Sequence, residues 1–491
     1  MWYLCYFLHR LLDYRLPEVE SLAKLFGCFD GEDGAHHLQW KQPPHHHLDS
    51  PFYFVSLPSE EIARSIAHRS LLVKGMFEIW GEGTSYEELQ TAIQSYPEER
   101  KLPFLGEEST FKIVVDTFGK VLNSQEQSER IESFKFIPFK GRVQLKNPQH
   151  KFWAIETDGV ALNNGLPPLA SKIIFFGREL GGANRSLVTK YELSRRKYLG
   201  PTAMDAEVAH LMVNQALVQP GKLVYDPFVG TGSILVAAAH HGALTMGADI
   251  DIRVVRDGRG PDCNVWSNFK QYNLCAPVGL IRADNNSPPW RSGLNELFDA
   301  IICDPPYGVR AGGRKSGGRK LLKGVINPYI IPDDKRKGHI PSTAPYTLEE
   351  CIHDLLDVAA RLLVMNGRLV FFFPAARNDY LGLCYPKHPC FTLVAASEQI
   401  LSTKWSRCLL TMEKTAKYTE EVASSARQKH TEFKENHCRL LKEAKERGNL
   451  HSLVFPSVDS IDLNAYSNGL LHNELHGEKP DSRAKYRGKY V

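Results

Sequence analysis

Apolar positions along the chain fall into two regimes. In the first, covering residues 1–185, short strand and helix patterns alternate without a glycine-rich ligand loop. Residues 1–8 form an apolar run that predicts a first strand. Residues 16–27 place a proline at a helix start, apolar side chains at Val19, Leu22, Leu25 and Phe26, and a glycine at the end, which predicts a short amphipathic helix. Strands are expected at 52–55, 70–80, 111–116, 143–148 and 152–155. Between them a helix is expected over 59–67, with Glu60 and Glu61 in its first turn. Residues 134–142 alternate aromatic and cationic side chains, the pattern of an amphipathic edge strand whose lysines oppose aggregation. The same alternation also suits backbone phosphates and bases.

The second regime reads as strand and helix in regular succession. A helix packed on a sheet is expected over 204–218, from apolar positions 208, 211, 212, 216 and 217. Residues 223–226 then form a strand, residues 227–232 a tight turn with Gly230 and Gly232, and an alanine-rich helix runs to about residue 241. Further apolar stretches end at Asp249, Asp284 and Asp304. Thr347 and Glu350 make a capping box for a helix closed by Asn366-Gly367, followed by a buried strand over 367–374 and two more over 391–401 and 405–412. The fold class expected is α/β, a doubly wound parallel sheet with an antiparallel closing strand, preceded by an α+β region. The expected boundaries are 1–185 for the α+β region, 186–200 for a linker and 201–413 for the α/β domain. A charged, largely disordered tail is expected over 414–491, with an exposed helix over 421–449.

Composition narrows the setting. A chain of 491 residues exceeds what one hydrophobic core serves, consistent with two folded domains. Its formal charge of +4 makes the mean field weak, so any nucleic-acid surface must be local. The ten cysteines contain no C-x-x-C pair, which points to free thiols in a reducing compartment, the cytoplasm, and away from structural zinc in this chain. No apolar run reaches the length of a membrane span. The apolar start lacks a basic leader and runs into His9-Arg10 and Asp13, so it reads as a strand.

The candidate chemistry sits where strands end. Asp304-Pro305-Pro306-Tyr307-Gly308 closes an apolar strand with two prolines, so the chain must stop there in a rigid turn at the carboxyl edge of the sheet. Prolines offer carbonyls without competing N–H donors, beside a carboxylate and a flat ring. Such a set fits a planar group bearing an amine, although alone it is equally an ordinary loop. Gly230 and Gly232 let backbone approach a ligand, and the helix amino end after them favours a carboxylate or phosphate. Asp249 follows Asp226 at the interval where a second strand end meets ribose hydroxyls. Asp251 and Asn285 read as cap and turn residues. Beyond Tyr307, Arg310, Arg314, Lys315, Arg319, Lys320 and Lys323 form a basic run with no acid, placed for phosphate contact beside the turn.

These motifs together, residues 226–232, Asp249, Asp284 and 304–307, resemble those of class I S-adenosylmethionine-dependent amino methyltransferases. Residues 198–205, with 70–75 and 16–18 in the first half, narrow the resemblance to eukaryotic tRNA (guanosine-10, N2) methyltransferase catalytic subunits, which carry a THUMP-containing tRNA-binding region. The likeness covers most of residues 1–413. It implies methyl transfer from S-adenosylmethionine to the exocyclic N2 amine of guanosine 10 in tRNA. It also implies a heterodimer with a small zinc-binding activator, with no membrane association. By this resemblance Thr202, Asp226, Gly230, Gly232, Asp249 and Asp284 surround the cofactor, and Asp304, Pro305, Pro306 and Tyr307 are catalytic. Arg310, Arg314, Lys315, Arg319 and Lys320, with Lys140 and Arg142 in the first half, are RNA-contact candidates. Residues 253–266 look like an insertion typical of this subgroup.

Two alternatives stand beside this one. The same turn serves an adenine N6 amine in RNA or DNA, and a non-catalytic RNA-binding scaffold could keep the fold. A nicotinamide-binding sheet would want a third glycine where Leu235 stands.

Overall fold

The computed structural model describes residues 1–28, 38–157, 166, 172–306, 312–317, 339–376, 385–402 and 405–443. Chain contacts divide into two units between Arg185 and Ser186. Among the described residues no helix is long and apolar enough to cross a membrane.

The first unit holds an eight-stranded sheet built from β1 (Trp2–Phe7), β2 (Gln39–Lys41), β3 (Phe52–Ser56), β4 (Val73–Gly83), β5 (Thr110–Phe118), β6 (Arg142–Val143), β7 (His150–Thr157) and β8 (Ile173–Gly181), in the order β2-β3-β1-β4-β8-β7-β5-β6. Helices Arg15–Leu25 and Glu60–Arg69 form where the apolar period placed them, the second capped by Ser59 accepting from the Ile62 N–H. Glu18 is buried and accepts from the Leu71 and Leu72 N–H groups at 2.8 and 3.1 Å and from the Ser70 hydroxyl at 2.6 Å. Residues 16–18 and 70–72, far apart in sequence, are thereby one structural joint.

Residues 134–141 are not a strand. Phe134 and Ile137 turn inward to the cluster of Trp80, Phe152 and Phe176, with Phe136 and Phe139 packed against it. Phe134 stacks on Phe176 at 4.4 Å. Filling this core outweighs the edge-strand pattern, and only Arg142 and Val143 pair with β5. Lys140 and Arg142 stay exposed.

The second unit is a seven-stranded sheet of β9 (Leu223–Asp226), β10 (Leu244–Asp249), β11 (Gly279–Arg282), β12 (Phe298–Cys303), β15 (Leu363–Ala376), β16 (Phe391–Ile400) and β17 (Trp405–Lys414), ordered β11-β10-β9-β12-β15-β17-β16. The first five strands in this order run parallel, and β17 is antiparallel to both of its neighbours. A separate two-stranded antiparallel sheet pairs β13 (Arg314–Ser316) with β14 (Thr343–Pro345). Tyr225, Ile301, Phe371 and Leu410 fill the core from four adjacent strands, as buried parallel strands require. Strand order reverses between β9 and β12, and in an open α/β sheet that switch point, at the carboxyl ends, is where a crevice opens.

Residues 186–200, expected as a linker, fold into this unit. Tyr191 is buried 5.3 Å from the ring of His210 and 4.6 Å from Tyr272, and Arg196 donates to the Ser233 hydroxyl at 2.5 Å. The start of the expected tail is also folded. Lys414 ends β17 with its ammonium on the Leu363 carbonyl at 2.7 Å, and helix Glu420–Glu443 buries Ala423, Ala426 and Phe433. Residues 444–491 lie outside the described residues.

Candidate functional site

Asp226 ends β9, and Pro227 cannot extend the ladder. The carboxylate is 1% exposed and accepts from the Phe228 N–H at 2.9 Å. Burial pushes its pKa well above the ordinary carboxylate range, and the charges of Asp249 and Asp304 add to the rise, against the Phe228 hydrogen bond. The turn that follows passes through Gly230 (φ +47°) and Gly232 (φ +82°) into helix Ser233–His240. A Cβ on Gly232 would stand 2.9 Å from Val265 Cγ1, so both conformation and space call for glycine there.

The turn is docked on β10. The Val229 N–H donates to the Ala248 carbonyl at 2.8 Å, and the Gly230 N–H donates to Asp249 Oδ2 at 3.0 Å. Asp249 Oδ1 accepts from the Asp251 N–H at 2.9 Å. Each oxygen of a carboxylate has capacity for a further donor, so Asp249 is oriented and still able to receive hydroxyls. Burial raises its proton affinity while the backbone donors of Asp251 and Gly230 lower it, leaving it raised. Asp251 caps the short helix Ile252–Arg256 through the Arg253 N–H.

A second segment is brought to this turn by one buried amide. Asn268, 0% exposed on helix Val265–Gln271, accepts from the Tyr198 N–H at 3.0 Å and donates to the Tyr198 carbonyl at 2.9 Å and the Thr231 carbonyl at 3.0 Å. A Cβ on Gly200 would meet Thr231 Cγ2 at 3.2 Å. Thr202 is exposed on the bend that follows, four residues beyond Tyr198 and three before the helix cap Asp205. The insertion folds back on the same place. The Arg259 N–H donates to the Cys263 carbonyl at 2.7 Å, and Cys263 Sγ lies 3.6 Å from the Lys197 carbonyl.

Asp284 follows β11 and accepts from the Ser287 N–H and, through its other oxygen, from the Ser316 N–H of β13, each at 3.0 Å. Asp304 follows β12. Its Oδ2 accepts from Arg407 Nη1 of β17 at 3.1 Å. Pro305 is buried beside it and Pro306 partly so. Asp226, Asp249 and Asp304 therefore stand at the carboxyl ends of neighbouring strands around the switch point, and Asp284 at the end of the next strand outward. Tyr307, Arg310, Arg319, Lys320 and Lys323 lie outside the described residues.

Of the basic run, Arg314 is exposed with its Nε on the Thr343 hydroxyl at 2.9 Å. Lys315 instead pairs with Glu350 at 3.1 Å and lies over the Tyr346 ring, because pairing of β13 with β14 brings it to the start of helix Leu348–Leu362. Lys140 and Arg142 belong to the first unit. Sequence reasoning missed Arg407 and Asn268. The available signal was polarity out of place: a guanidinium beside Cys408-Leu409-Leu410, and an amide between Val265 and Phe269.

Comparison with known proteins agrees with this architecture. Residues 1–185 match the Tmrp11 THUMP N-terminal domain, and residues 194–327 match the RMKL-like methyltransferase domain. The tRNA (guanine(10)-N(2))-methyltransferase TRMT11 of Homo sapiens is 39% identical over 419 residues, covering 83% of this chain and 87% of that one. The protein of the same name from Gallus gallus is 37% identical over 425 residues, covering 84% and 88%, and that from Dictyostelium discoideum 37% over 433 residues, covering 86% and 83%. With identity at that level running through both halves, the chain belongs to the tRNA (guanine(10)-N(2))-methyltransferase family.

Proposed function

We propose that this chain transfers a methyl group from S-adenosylmethionine to the exocyclic N2 amine of guanosine 10 in tRNA, at the carboxyl edge of its second sheet. The observation that carries the reading is the convergence of Asp226, Asp249 and Asp304 on the switch point, with the Gly230–Gly232 turn lying between the first two. The residues present fit the donor: the turn passes through two positive-φ glycines, of which Gly230 has room where a Cβ would stand, and Asp249 is oriented by two backbone N–H groups. When bound, S-adenosylmethionine supplies an electrophilic methyl group. Gly230, Gly232 and Thr202 would hold its amino-acid end, Asp249 its ribose hydroxyls and Asp284 its adenine amine, the carboxylate contacts being charge-assisted.

The guanine amine is a weak nucleophile because its lone pair is delocalised into the ring. Asp304 and the Pro305 carbonyl accept its hydrogens, which returns electron density to the nitrogen and aims it, a matter of positioning and electrostatics. Tyr307 stacks on the base, a contact worth about 1–3 kcal/mol. The base leaves its helix at a cost of a few kcal/mol. The first unit binds the tRNA, with Lys140 and Arg142 among its phosphate contacts, and a small zinc-binding activator completes the enzyme. These assignments rest on family membership and on the placement of residues described above.

Labelled methyl transfer to two transcripts of one tRNA, carrying guanosine or adenosine at position 10, tests the proposal. Label must enter the first and not the second. Equal labelling of both would overturn the assignment of position.

A further inference from the structure

Asp304 is braced from across the sheet. Arg407 of β17 donates to its Oδ2 at 3.1 Å and is itself held on several sides. Its Nε donates to Gln399 Oε1 of β16 at 2.8 Å, its Cζ lies 3.7 Å from the centroid of the Phe372 ring of β15, and its Nη2 lies 3.6 Å from Met204 Sδ. Its side chain is only 12% exposed. A charge so enclosed is expensive to desolvate, and replacing a buried ion pair as a whole by apolar residues is often neutral or stabilising, whereas removing one partner alone is costly. The pair as such is therefore weak evidence of a role in stability, and orientation gives a reason for arginine at this place. A planar guanidinium with its Nε end fixed presents its remaining donors in one direction, which a lysine cannot reproduce. The Met204 contact further encloses the guanidinium without adding a hydrogen bond to a nitrogen or oxygen.

We propose that Arg407 is a positioning residue for methyl transfer, setting the plane of the Asp304 carboxylate so that it accepts the hydrogens of the target amine. This rests on the function proposed above and adds a determinant that acts only through Asp304. Gln399 serves by keeping the Arg407 fork in register.

The test uses the full chain with its activator, comparing wild type with Arg407→Met, Arg407→Lys and Gln399→Leu. The readouts are kcat, KM for tRNA, S-adenosylmethionine affinity by calorimetry, and thermal melting. Misplacing a reacting group by about 1 Å costs about 100-fold, so Arg407→Met is expected to lower kcat by about that factor while cofactor affinity and KM stay within about threefold. Arg407→Lys restores part of the loss, since charge returns without the fork. If Arg407→Met fails to fold, Gln399→Leu, which removes one neutral contact, decides: kcat falls about tenfold with melting unchanged. Wild-type kcat in Arg407→Met, or in Gln399→Leu, overturns the inference, as does a loss in Arg407→Met matched by an equal loss of cofactor binding. A wild-type chain that methylates no guanosine would instead sink the proposed function, so the two failures are distinguishable.

Discussion

Asn268 offers a sharp test of how the second unit holds its ligand loops. Truncation to alanine removes three hydrogen bonds, two to Tyr198 and one to the Thr231 carbonyl. Each contributes a net of about 1 kcal/mol, so the loss is about 3 kcal/mol, reduced if water enters the vacated space and increased if the carbonyls stay dry. Asn268→Asp keeps the shape and the acceptor for the Tyr198 N–H but turns a carboxylate oxygen toward two carbonyls, and should cost more than alanine. Urea unfolding of the full chain followed by circular dichroism measures both. Calorimetry should show S-adenosylmethionine affinity falling along with stability, because the same amide joins the glycine turn to the segment ending at Thr202. A loss for Asn268→Ala below about 0.5 kcal/mol, the range of an exposed substitution, would refute the reasoning. So would an aspartate variant no worse than alanine.

Other substitutions separate binding from chemistry. Asp304→Ala should abolish methyl transfer while calorimetric S-adenosylmethionine affinity is retained; a fully active variant contradicts the catalytic assignment. Asp226 has a raised folded pKa, so the folded state holds its proton more tightly than the unfolded chain. Its contribution to stability therefore falls as pH rises from the unfolded carboxylate range, about 4, through the folded value. Asp226→Asn keeps an oxygen for the Phe228 N–H and should melt higher than wild type at pH 8, with a smaller difference at pH 5; the opposite order contradicts the burial argument. Neutralising Arg314, Lys315, Arg319 and Lys320 together should flatten the salt dependence of tRNA binding by about one unit of slope per lost phosphate contact. An unchanged slope returns these residues to structural or solvated roles, the ion pair of Lys315 with Glu350 being one already visible.

What was legible in the sequence is what local chemistry dictates. Buried parallel strands read as apolar runs, and those running up to Asp226, Asp249, Asp284 and Asp304 lie where expected, the prolines after Asp226 and Asp304 stopping two of them at the sheet edge. Ser59 and the Thr347–Glu350 pair cap helices as their spacing predicts. The failures share a cause. Tyr191 and Arg196 sit in a polar stretch that resembles a linker, yet their partners Tyr272 and Ser233 are distant in sequence. Residues 134–141 carry a strand-like alternation whose aromatics are drawn into a core formed by four other strands. Arg407 meets Asp304 only because antiparallel β17 inserts beside β15, a register no local pattern encodes. Tertiary context decided each of these.

The most direct test of the central claim is mass spectrometry of nucleosides from tRNA incubated with the purified chain, the proposed small zinc-binding activator and S-adenosylmethionine. The account predicts N2-methylguanosine, absent when Asp304 is alanine. N6-methyladenosine in its place would contradict it.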